Sequence, residues 1–202
     1  GANFKLTPEE VKDRSDLIEH AASLIVQMEI PVETISEIFQ IAARGNVIKI
    51  LNPAPLKPLP LETLQNVDIL TPNEGELFRL HALLSFNPPA AEGREAIVQA
   101  SVDITSLGPR YVLTTLGKKG SFLYDSREDE STVIPAYKVE AVDTVGAGDC
   151  FNGVLASKLC QGKRLKDAVK YATAAASIAV TRKGAQDSMP HDPEIEKRYQ
   201  EL

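Results

Sequence analysis

Only two cysteines occur in the 202 residues, Cys150 and Cys160. On one helix their ten-residue spacing amounts to about 15 Å, too far for a disulfide. Both read as small buried apolar residues, which suits a reducing, cytoplasmic compartment. Histidine is equally sparse: His20, His81 and His191 fall in no metal-ligand spacing, so no site is built on them. No run approaches the roughly 18 apolar residues a membrane-spanning helix needs, and the opening GANFKLTPEE lacks the basic start and apolar core of a signal peptide. A basic field is missing too. The net charge is −6, which sets nucleic-acid binding aside. There is no internal repeat, no low-complexity segment and no G-x-x-x-x-G-K-[ST], so a P-loop enzyme is excluded by pattern.

What is present is an ordinary globular composition, 43% hydrophobic and 25% charged, in a chain long enough for one α/β domain, residues 1–202. Helical and strand patterns alternate. Thr7-Pro8-Glu9-Glu10 caps a helix running to about Ala21. The apolar run Ser23 to Met28 predicts a strand buried on both faces. Pro31 opens a helix carrying Val32, Ile35, Ile38, Phe39 and Ala42 on one side, closed by Gly45. Strands follow at Val47 to Leu51 and Val67 to Leu70, then helices at Glu74 to Leu84 and Gly93 to Leu107, parted by Asn87-Pro88-Pro89. Tyr111 to Thr115 is a fourth strand. Ser121 to Tyr124 and Val133 to Tyr137 read as a hairpin with a polar loop between. Helices at Ala147 to Leu159, Leu165 to Val180 and from Pro193 end the chain. This alternation predicts a doubly wound, mostly parallel sheet between helices.

The chemistry concentrates in Asp143-Thr144-Val145-Gly146-Ala147-Gly148-Asp149 ahead of a helix. Three small residues at a helix N-terminus turn backbone N–H groups outward, an arrangement that binds anions. An acid at its lip, Asp149, suits a base that takes the proton of an alcohol attacking a phosphoryl group. Gly146, Gly148 and Gly153 do not have dinucleotide-fingerprint spacing, which argues against an NAD-dependent oxidoreductase.

The stretch VDTVGAGDCFNG resembles the C-terminal signature of the ribokinase-like (PfkB) carbohydrate kinases. GANFKLTPEEV, VQMEIPVET, LNPAP, VDILTPNEGE, VLTTLGKKG and AASIAVTRKGAQDS extend the likeness, in order, over most of the chain. The resemblance implies a three-layer αβα fold and transfer of the ATP γ-phosphoryl group to D-ribose. Asp149 matches the catalytic base and Gly146, Ala147 and Gly148 the anion hole. Asn73 and Glu76 match residues that organise Mg²⁺ and its waters. Thr115, Leu116, Gly117, Lys118, Lys119 and Gly120 match the loop along ATP, with Gly148 and Thr173 beside it, and Glu29 matches a sugar contact. A K⁺ site transfers as well: the side chains of Asp143 and Ser188 with the carbonyls of Val145, Ala179, Arg182 and Gly184. The family also implies a homodimer.

Plainer readings stand beside these. Asp143 also suits a turn cap, Asn73 a helix cap, Lys118-Lys119 a solvated turn and Arg182-Lys183 a helix C-terminus. Ala172 to Ala176 reads as close helix packing. Asp149, directly after Gly-Ala-Gly, has no such structural role. The start on Gly1-Ala2-Asn3, where an α/β fold usually opens on a strand, fits a truncated kinase whose first strands, lid and remaining sugar contacts precede it. Two alternatives follow: a nucleotide-binding remnant without catalysis, and a kinase for another sugar.

Overall fold

The computed structural model describes residues 1–201. By its internal contacts the chain divides into two compact units. One comprises residues 1–115 and 122–132; the other comprises 116–121 and residues from 133 onward.

The first unit carries most of a six-stranded sheet, ordered β1 to β6 as in the chain: β1 (Ser23–Val26), β2 (Ile48–Leu51), β3 (Ile69–Leu70), β4 (Tyr111–Thr115), β5 (Ser121–Asp125) and β6 (Glu130–Ile134). β1 to β4 are parallel, in the register Ser23 to Ile48, Ile50 to Ile69 and Ile69 to Tyr111. β5 runs back along β4, since Leu116 N–H donates to Gly120 O and Ser126 N–H to Arg110 O. The result is an α/β fold on a mostly parallel, mixed sheet.

Helices α1 (Pro8–Lys12), α2 (Ser15–Glu19), α3 (Val32–Ala42), α4 (Leu61–Leu64), α5 (Glu74–Leu83) and α6 (Arg94–Thr105) accompany the strands. Their apolar faces supply Ile35, Phe39, Ile41, Leu64, Leu77, Ala100 and Ile104, and the strands supply Ile50, Leu51, Leu70, Val112 and Leu113, all of them buried. The helical period of 3.6 residues puts Ile35, Ile38, Phe39 and Ala42 on one side of α3, and all four are buried.

The second unit is built on α7 (Ala147–Cys160), α8 (Leu165–Ala179) and α9 (Asp192–Tyr199). Cys150, Tyr171, Ala174, Ala175, Ala179 and Ile195 form its core. The alanines of α8 are small enough to let α7 lie close, as the Ala172 to Ala176 run leads one to expect. No helix among the described residues is long and apolar enough to cross a membrane.

Five expectations change. β1 is not buried on both faces: it is an edge strand of the sheet, only Val26 in it is buried, and Ile25 is exposed. The helix from Thr7 breaks after Lys12, where Arg14 N–H bonds Val11 O and Arg14 leaves the helical region. Gly45 is not a left-handed cap; the helix ends through Ala43, and a Cβ on Gly45 would stand 1.9 Å from Glu19 O. The second hairpin strand begins three residues early, at Glu130. Its polar residues sit on a partly exposed strand, which needs no apolar alternation, and Tyr124 Oη closes the turn onto Asp129 at 2.8 Å. Cys160 is exposed although Cys150 is buried, because ten residues on one helix make about 2.8 turns and so bring the second thiol to a different face.

Candidate active site

In a parallel sheet the loops beyond the strand carboxyl ends are where ligands sit. The first unit places three expected residues there. Glu29 follows β1, and one of its carboxylate oxygens accepts Asn3 Nδ2–H at 3.3 Å. Asn73 follows β3 and pairs as a parallel bridge with Thr115, the last residue of β4. Pro72 O accepts Thr115 N–H at 2.9 Å, so the two strand ends are fixed side by side.

Asn73 and Glu76 also cap α5. Asn73 Oδ1 accepts Glu76 N–H and Glu76 Oε2 accepts Asn73 N–H, both at 2.8 Å. The plain reading of Asn73 is therefore realised. Each side chain still keeps its other polar atom, Asn73 Nδ2 and Glu76 Oε1, outside that cap.

The second unit holds the rest. Leu116 to Gly120 form a single tight turn, with Lys118 and Lys119 exposed and Gly120 buried. Gly120 has φ 96°, and a Cβ there would meet Ile134 O at 2.0 Å, so the turn cannot close with another residue.

Asp143 ties the glycine loop to the segment after α8. Its two carboxylate oxygens accept Val145 N–H and Gly184 N–H, each at 3.0 Å. These amide bonds hold its carboxyl below the usual carboxylate range. Val142 and Asp143 N–H both donate to Val180 O, a second tie between the same segments. Gly146 then adopts φ 76° with Ala185 packed on it, and α7 begins.

Ala147 N–H reaches Thr144 O at 3.3 Å, and the first regular helical bond runs from Cys150 N–H to Gly146 O at 2.9 Å. The donors of this first turn and the helix dipole face outward together. Gly148 and Asp149 are exposed at that end, and a Cβ on Gly148 would touch nothing within 4 Å. No packing among the described residues asks for glycine at 148.

Burial and the neighbouring Asp149 charge push the Cys150 thiol up to about 11, so it stays protonated and is no nucleophile. Ser188 is fully buried and donates to Ala185 O at 2.7 Å, and Ala179 O accepts Arg182 N–H at 3.0 Å. Arg182 pairs with Glu194. Thr173 lies buried in α8 with its hydroxyl bonded to Val169 O at 2.8 Å.

Two polar residues of α7 escaped the sequence reading. Asn152 is buried and donates to Gly148 O. Lys158 is 2% exposed and bonds Asp192 at 2.8 Å and Glu196 at 3.2 Å. Burial works against its charge, but those two carboxylates outweigh it and raise its pKa. A lysine amid the apolar positions of a helix was the available signal.

Comparison with known proteins follows the same lines. A family model described as pfkB family carbohydrate kinase matches residues 1–192. The ribokinase of Staphylococcus aureus (strain COL) is 38% identical over 191 residues, 94% of this chain and 60% of that protein. The solved ribokinase of Thermotoga maritima has a TM-score of 0.87 at 38% identity, covering 99% of this chain and 63% of its own. That of Arabidopsis thaliana, complexed with ribose and ATP, has a TM-score of 0.90 at 34% identity, with 99% and 63% covered. The chain thus spans 34–62% of the length of the curated relatives it matches, and 60% of the Staphylococcus aureus protein.

Proposed function

We infer, for a chain that belongs to the pfkB family of carbohydrate kinases, an ATP-dependent phosphoryl transfer to the 5-hydroxyl of D-ribose in the protein it forms part of. The observation that carries this reading is the start of α7: a helix N-terminus, an open glycine and a carboxylate on a single turn.

Asp149 takes the proton of the sugar hydroxyl as its oxygen attacks the γ-phosphorus. The bond from that phosphorus to the β–γ bridging oxygen breaks, and ADP leaves with the electron pair. The N–H groups of residues 146–148 hold the charge on the moving phosphoryl oxygens, a contribution worth about 2.7–4 kcal/mol per donor in enzymes that use such holes. The Leu116 to Gly120 turn lies along the nucleotide, and Glu29 orients the sugar.

Asn73 Nδ2 and Glu76 Oε1, left outside the helix cap, suit the water shell of Mg²⁺, a metal that keeps several waters and neutralises phosphate charge. The K⁺ ligands come from two segments that Asp143 already binds together, and the ion would steady the loop's polarity.

The test is an ADP-release assay on the complete protein with D-ribose, 2-deoxy-D-ribose and D-fructose, with Mg²⁺ or EDTA, in potassium or sodium buffer of equal ionic strength. Ribose-dependent ADP release that needs Mg²⁺ and runs faster in potassium is expected. Nucleotide binding without turnover on any sugar refutes catalysis; equal rates in the two buffers refute the cation site.

A further inference from the structure

The Gly148–Asp149 peptide is the part of the α7 start whose orientation matters most to the proposed chemistry. Its N–H belongs to Asp149, and its Cα carries the carboxylate. Glycine at 148 brings no side chain to hold it, and open space surrounds the position where a Cβ would be.

One turn below, Asn152 is 5% exposed. Its Nδ2–H donates to Gly148 O at 3.0 Å. Its Oδ1 is buried and has no partner. For the fold alone this is a poor choice. Asparagine is a weak helix former, and a buried acceptor without a donor destabilises a core, whereas leucine has the same branching, a somewhat larger volume and neither fault. Such a feature persists where something other than stability keeps it.

We propose that Asn152 is a positioning residue for phosphoryl transfer, pinning the Gly148–Asp149 peptide so that the Asp149 carboxylate keeps its place at the helix end. A trans peptide is planar, with C=O and N–H opposed. Holding the Gly148 carbonyl toward Asn152 therefore also fixes the plane that ends in the Asp149 Cα, from which the carboxylate leaves. The same bond limits the backbone freedom that glycine leaves at this turn. This rests on the reading of Asp149 as the base.

The experiment uses the complete enzyme with Asn152→Leu, Asn152→Thr and Asn152→Val. Leucine removes both the bond and the orphan oxygen, so Tm holds or rises. At the same time kcat falls about tenfold, the factor for one lost transition-state hydrogen bond. KM for ATP and for the sugar stays within about twofold, because binding is not what the residue serves. A threonine hydroxyl can donate to the carbonyl four residues back, so Asn152→Thr restores most of kcat, while valine, the same shape without the donor, does not.

Wild-type kcat in Asn152→Leu overturns the proposal, as do equal kcat values in the Thr and Val variants, which decide the matter even if Leu folds badly. Asp149→Asn is assayed in parallel. If it keeps its activity, the reading of the base has failed; if it is inactive while Asn152→Leu is not, only the positioning role has failed.

Discussion

Gly146 and Gly148 stand two residues apart and are glycine for different reasons, so replacing each with alanine separates the fold from the site. At Gly146 the backbone has φ 76°, which costs a residue with a side chain about 1–2 kcal/mol. Its new methyl would lie 3.2 Å from Ala185 Cα and Cβ and 3.3 Å from Met189 Cε. Met189 is flexible at its tip, but the Ala185 backbone is held by its neighbours, and overpacking adds about 1–3 kcal/mol. A central value of about 3 kcal/mol lowers Tm by roughly 6–12 °C. Gly148 is helical, and its methyl would meet nothing. Alanine there relieves about 0.5–1 kcal/mol of backbone entropy and raises Tm by roughly 1–4 °C. The same methyl occupies the space the phosphoryl oxygens need, so kcat falls at least about tenfold, toward the 10²–10³ of a lost oxyanion donor. Thermal melts followed by circular dichroism, beside a coupled ADP assay on the complete enzyme, measure both. Wild-type kcat in Gly148→Ala, or a Tm loss as large as that of Gly146→Ala, refutes the assignment of Gly148 to the site rather than the fold.

Three other outcomes are expected. Asp149→Asn lowers kcat by about 10²–10⁴ and leaves ATP affinity nearly unchanged, since backbone donors and loops hold the nucleotide; a variant keeping a tenth of wild-type kcat contradicts the role of base. Asp143 has a folded pKa below its unfolded value, so its stabilisation is present above the ordinary carboxylate range and is lost as pH falls through the depressed folded value. The Tm gap between wild type and Asp143→Asn is therefore full at pH 7 and closes in acid; a gap constant with pH speaks against the two amide bonds as its source. Lys158→Ala removes a buried stem, its contact with the Tyr171 ring and both carboxylate bonds, costing about 2–4 kcal/mol and exposing α9 amides to hydrogen exchange. Glu196→Gln leaves the Asp192 pair intact and costs less, and the reverse ranking would dismiss Lys158 as the anchor of α9.

The order of helices and strands, the start of α7 and the acid at its lip were all legible from local pattern. Small residues before a helix expose donors, and Asp149 follows Gly-Ala-Gly directly, so neither needs tertiary information. Asn73 with Glu76 was legible for a similar reason: a cap and its partner three residues on are a local motif, and the structure shows both halves of it. What local pattern could not supply was partnership across distance. That Asp143 reaches Gly184, which the family resemblance but no local pattern put near it, is a contact over 41 positions, set by how α8 returns the chain to the loop. That Lys158 lies under Asp192 and Glu196 depends on α9 docking there. Asn152 looked like one more polar residue of a helix until burial and the orphaned oxygen distinguished it. Gly45 and Gly120 show the same division: the sequence marked one as a helix end and the resemblance put the other in the loop along ATP, but only packing revealed that Glu19 O and Ile134 O stand where a side chain would go. Backbone preferences act over three or four residues and can be read along the chain. Desolvation and close approach arise only when distant segments meet, and they decide which polar groups hold the site.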